Sequence, residues 1–69
     1  MNANEFRAAR AKSALTSYDA TEMIHDPYSV TTDLLADLMH YCHQSGINFR
    51  DSICVAHAHF ETEIQEEEE

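Results

Sequence analysis

Apolar residues return every three or four positions along most of this chain, the spacing that places them on one side of a helix. Over residues 4–18, NEFRAARAKSALTSY, the apolar side is Phe6, Ala8, Ala9, Ala11, Leu15 and Tyr18, and Asn4 is the expected N-cap. Residues 31–45, TTDLLADLMHYCHQS, bring Leu34, Leu35, Leu38, Tyr41 and Cys42 to one side. Thr31 or Thr32 is the expected cap there, and Asp33 favours the positive end of the helix dipole. Gly46 follows at once, where a left-handed residue ends a helix without steric cost. Residues 48–65, NFRDSICVAHAHFETEIQ, carry the stripe Phe49, Ile53, Ala56, Phe60 and Ile64. Asn48 and Asp51 form a pair resembling a capping box at its start.

Between the first two helices, residues 19–29 read as a linker. Asp26-Pro27 stops a helix, because proline biases its predecessor towards extended backbone. Met23, Ile24 and Tyr28 are expected beneath the bundle. The last two helices are separated by so short a connection that they become neighbours in an αα-hairpin. The pattern thus predicts an all-α fold, one small three-helix domain over residues 1–69 with a C-terminal αα-hairpin. Glu66–Glu69 form an acidic tail, expected to fray because adjacent carboxylates at a helix C-terminus repel one another and oppose the dipole.

Composition adds a constraint on size and on partners. A chain of 69 residues supports only a modest core. Its apolar stripes are wide for that length, so some of them are expected to be covered by assembly, and a homodimer is one candidate. The chain has 13 acidic and 4 basic residues, a net charge of −9, and Arg7, Arg10 and Lys12 all lie in the first helix. That balance argues against direct binding to a phosphate backbone. A helix-turn-helix reading of residues 31–65 fails for the same reason, since Arg50 is the one basic residue at the start of its second helix. The charge suits a partner with a basic surface. No apolar run approaches the length of a membrane span, and the N-terminus lacks the apolar core of a signal peptide. A cytoplasmic protein with reduced thiols is expected.

The stretch HYCHQSGINFRDSICVAHAH concentrates four of the five histidines and both cysteines. At about 100° per residue, His40 and His43 lie off the leucine side of their helix, and His59 lies about 160° from His57. Cys42 faces the apolar side and Cys54 does not, which argues against a disulfide. No knuckle of closely spaced cysteines gathers four ligands for zinc, so neither a metal nor another cofactor is expected. Asp51, Cys54 and His57 are aligned at three-residue steps, but any helix makes neighbours of such residues, and the domain is too small for a substrate pocket. The expectation is a protein that is not an enzyme. His57, at the stripe edge, is expected to be partly buried.

The pattern D-L-x-x-D-L-x-H-x-C, then G-x-x-F, then A-x-x-H-F/Y-x-x-E is carried here by Asp33, Leu34, Asp37, Leu38, His40, Cys42, Gly46, Phe49, Ala56, His59, Phe60 and Glu63. It resembles a family of uncharacterised short acidic proteins from bacterial plasmids, phages and integrated elements. The upstream FRAARAKSALTSY resembles that family's start. The resemblance implies mobile-element origin rather than an activity. Together with size and acidity it suggests an inhibitor of host defence, of anti-CRISPR or antirestriction type, that mimics nucleic acid with carboxylates. Asp33, Asp37, His40, His43, His59, Glu61 and Glu63 are the expected partner-binding residues, and a host protein with a basic nucleic-acid-binding surface is the expected partner. The alternative is a plasmid or phage maintenance or regulatory factor that acts through helix-mediated assembly.

Overall fold

Each helix of this protein begins on the residue after an asparagine or an aspartate. The computed structural model describes residues 2–68, and these form four helices with no strand: α1 (Ala3–Tyr18), α2 (Ala20–His25), α3 (Pro27–Ser45) and α4 (Phe49–Glu68). The side-chain oxygen of Asn2 accepts from the Glu5 N–H at 2.8 Å, Asp19 from Glu22 at 3.0 Å, Asp26 from Ser29 at 3.2 Å and Asn48 from Asp51 at 3.1 Å. Each bond satisfies an amide that the helix itself cannot.

The all-α class read from the sequence holds, with a fourth helix where a linker was expected. Asp19 and Asp26 explain the extra helix. The N–H of Asp19 closes α1 on the Leu15 carbonyl, and that of Asp26 closes α2 on Glu22, while both side chains open the next helix. Asp26 is held out of the helical region, at φ −150° and ψ 79°, as a following proline favours, and Pro27 then sits at the start of α3, where its missing N–H costs nothing. The dipeptide that stops one helix therefore starts another, and α3 begins four residues before Thr31. Thr31 and Thr32 do not cap. Their hydroxyls donate back to the carbonyls of Pro27 and Tyr28. Asn4 is not the cap of α1 either, because Asn2 takes that place and Asn4 reaches across to α4.

Gly46 ends α3 in the left-handed conformation, at φ 73°. The Ile47 N–H donates to the Cys42 carbonyl at 2.9 Å, the six-to-one bond of a Schellman turn. This turn joins α3 to α4 in an open hairpin, whose close backbone approaches lie near the turn. The first half of α1 instead meets the end of α4, and α2 sits at the corner between α1 and α3. Helix α4 continues through Glu66 and Glu67 to Glu68; Glu69, the end of the tail expected to fray, lies outside the described residues.

The core is small. Among the described residues, Val30 (2% exposed) and Cys42 (8%) are the buried apolar side chains, both on α3. Leu15, Met23, Leu34 and Phe49 are half-buried. Of the three residues expected beneath the bundle, Met23 is half-buried while Ile24, 80% exposed on the short α2, and Tyr28, in the first turn of α3, stand in solvent. The radius of gyration is 13.9 Å, against about 11 Å for a compact chain of this length. The accessible surface is 5745 Å², against about 4,400 Å² for a compact monomer of this mass.

Two variants probe these joints. A Cβ at Gly46 would meet no atom within 4 Å, so Gly46→Ala tests backbone conformation alone. It is expected to cost about 1 kcal/mol and to lower the melting temperature by several degrees in thermal denaturation. At Asp26, hydrogen bonds from the Ser29 hydroxyl and amide hold the carboxyl below its usual range. A lowered folded-state pKa stabilises above the unfolded value and is lost as pH falls through the folded one. Asp26→Asn keeps an acceptor without the charge, so its melting temperature should fall less than wild type's between about pH 5 and 2. Parallel pH profiles would show that the charge on Asp26 contributes nothing.

Candidate acidic interaction surface

The partner-binding residues expected from sequence fall into two groups and some isolated positions. The first group forms where α1 ends against α3. The Tyr18 hydroxyl donates to Asp37 Oδ2 at 2.5 Å. That hydrogen bond, with partial desolvation and the charges of Asp37, Asp33 and Asp19, raises the phenol to about 12. The shift shows that Asp33 and Asp37, one turn apart on α3, share a negative field with Asp19 at the N-cap of α2. Asp37 is thus both an acidic group and the acceptor that docks α1.

The second group forms where α1 begins against the end of α4. Arg7 Nε lies 2.8 Å from Glu63 Oε2, and Arg7 Nη1 donates to Asn4 Oδ1 at 2.7 Å. Asn4 Nδ2 donates to the Glu63 carbonyl at 3.0 Å and to Glu67 Oε2 at 2.6 Å, while Asn2 Nδ2 donates to Glu67 Oε1 at 3.0 Å. This polar clasp supplies donors to a helix end that has acid and no basic residue in its last turn. It accounts for an acidic tail that stays helical. The Arg7–Glu63 pair is partly exposed and is worth at most about 1 kcal/mol. His59 shares a shallow concavity with Arg7, Thr62, Glu63 and Glu66.

Along α1 the two groups are separated by the rise from Asn4 to Tyr18, about 20 Å. They form two acidic ends rather than one patch. Glu63 and Asp37 are already engaged within the chain, whereas Asp33, His40, His43 and Glu61 are exposed. His57, expected to be partly buried, is 67% exposed at its side chain, and its Nε2 lies 3.5 Å from Glu61 Oε1 one turn on. The stripe whose edge it occupies has no covering element on α4, so nothing buries it.

Both cysteines are free, with Cys42 buried and Cys54 exposed, on the sides expected from the helical phase. No hydrogen bond links Cys54 to Asp51 or His57 among the described residues, and Asp51 supplies the amide capped by Asn48. No group of three or more His, Cys, Asp and Glu side chains converges as metal ligands among the described residues. No described helix is long and apolar enough to cross a membrane.

Sequence reasoning missed Asn2, Asn4, Tyr18 and Asp19 as members of these ends, whereas the basic residues of α1 and the acidic tail were open to it. Asp19 carried a signal, since Asp-Ala-Thr-Glu is a cap followed by an acid at its third position. The particular pairings of Asn2 and Asn4 in the clasp carried none, because their partners are 59 to 65 residues apart in sequence. No protein-family model, curated protein or solved structure matches the chain.

The acidic end at Tyr18 is accessible to titration. One of the three tyrosines is expected to ionise near pH 12 by ultraviolet absorbance, and Asp37→Asn should bring it down. A raised folded-state pKa stabilises fully below the unfolded value near about 10 and is lost as pH rises through the folded value. Tyr18→Phe should therefore remove part of the alkaline loss of stability between about pH 10 and 12.

Proposed function

We propose that this chain is a small, non-catalytic acidic protein of a mobile genetic element that acts in the cytoplasm by occupying the nucleic-acid-binding surface of a host defence complex, in the manner of anti-CRISPR or antirestriction proteins. The observation that carries this reading is charge density on a helical frame. The molecule is 38 Å long and has a net charge of −9. One nucleic-acid strand places a phosphate about every 3.4 Å, or about 11 charges over that length. The body is 32 Å wide as well, so a charge of comparable size is spread over a broader face, with its carboxylates on helices rather than on a flexible tail. Asp33 and Glu61 are the exposed acids best placed to meet Lys and Arg. The resemblance to mobile-element proteins supplies the host setting.

Uncovered apolar surface favours a second reading, a plasmid or phage maintenance or regulatory factor that acts by helix-mediated assembly. Phe60, for example, is 57% exposed on α4. The two readings respond oppositely to salt. Pull-down from host lysate at about 50 and 500 mM salt is expected to retain an identifiable nucleic-acid-binding protein at the lower concentration only. Single-stranded nucleic acid should compete it away, and Asp33→Lys with Glu61→Lys should abolish it. Recovery of no such protein, or binding indifferent to salt and charge reversal, would overturn the mimicry reading.

A further inference from the structure

The stripe of α4 and the facing side of α3 lack a covering layer within one chain. On α4, Phe49, Ile53, Phe60 and Ile64 lie within about 60° of one another around the helix. On α3, Leu35, Leu38 and Cys42 do the same. Only Cys42 is buried and Phe49 half-buried, both beside the Gly46 turn, and the other five are exposed. The one acid in line with the α4 stripe is Glu67, at its far end, and Asn2 and Asn4 hold its carboxylate. Backbone approaches between α3 and α4 are few for helices of this length.

We propose that these sides of α3 and α4 pack against the same sides of a second copy of this chain, giving a two-fold symmetric homodimer with a four-helix centre. Surface area argues for it. The chain exposes about 1,300 Å² more than a compact monomer of its mass. These sides supply part of that excess, and covering about half of it on each copy would bury about 1,300 Å² in total, a standard-sized interface. Length fits as well: α3 and α4 have 19 and 20 residues, so the part of α4 before the α1 clasp at Glu63 and Glu67 can lie along a counterpart of similar length. Charge selects the occupant. A two-fold interface sets a patch against itself, which suits an uncharged apolar patch and would penalise an acidic one. Asp33 and Asp37 lie on the other side of α3, and Glu67 marks the end of the α4 stripe, where α1 begins. The inference stands independently of the mimicry reading, because it concerns the purified protein alone.

Sedimentation equilibrium and thermal melts, run over a hundredfold range of concentration and at about 50 and 500 mM salt, test the proposal. The expected mass is twice 7.9 kDa. The melting temperature should rise with protein concentration. Higher salt should leave the dimer intact or tighten it, because it screens repulsion between two acidic copies. Phe60→Glu and Leu38→Glu should each weaken association at least tenfold, while Ile24→Glu, at an equally apolar and more exposed position on α2, should not. Loss of helix in the first two variants alone would also agree, since folding and association are then one event. A monomer that melts cooperatively at every concentration would overturn the proposal. So would a dimer indifferent to both substitutions on this interface, or a monomer that orders only when a host protein is added.

Discussion

Helices of 16, 19 and 20 residues bring more apolar side to this molecule than their mutual approach covers. The rest of the structure depends on that shortage of contact. The long helices meet near the Gly46 turn, at the polar clasp between α1 and α4, and at the corner around Tyr18. Among apolar side chains, those near the turn and the α1–α2–α3 corner are the ones that reach burial or half-burial. Elsewhere the stripes remain in water. Hydrophobic burial is the main favourable term in folding, so a chain that defers it gains little stability from its own interior.

What holds the separate helices in place is therefore unusually polar. Four Asx caps set where each helix begins. Tyr18 donates to Asp37, and Asn2, Asn4 and Arg7 hold the carboxylates of α4. Individually these bonds are modest, because most of them are exposed to solvent. They position the helices without supplying the driving force for a core. This division also explains why acidity is compatible with the fold. Several acids sit at caps or where α1 supplies donors, as at Asp19, Asp26, Asp37, Glu63 and Glu67.

The same separation bears on function. A carboxylate on a flexible tail loses entropy when it is fixed against a partner, and one already on a helix loses less. Extending α4 to Glu68, with Glu67 held by Asn2 and Asn4, turns an apparent tail into part of the frame. Acidic ends and apolar sides can then serve different contacts. The proposed mimicry uses the first, and the proposed dimer the second.

Periodicity and capping residues by themselves determined the helical class, the end of α3 at Gly46 and the start of α4 at Asn48. They also set the opposite facing of Cys42 and Cys54. These are local matters, decided by backbone sterics and by hydrogen bonds within one turn. The fourth helix was written in Asp19 and Asp26-Pro27 as well, but proline after aspartate signals a stop and a start equally, and only the fold showed both. Tertiary structure alone decided that Ile24, Tyr28, Phe60 and His57 stand exposed, that Glu63 and Asp37 are tied to α1, and that the acid lies at two ends. Helical phase states which residues share a side of a helix. It does not state whether another element reaches that side, because the approach of two helices depends on contacts far apart in sequence.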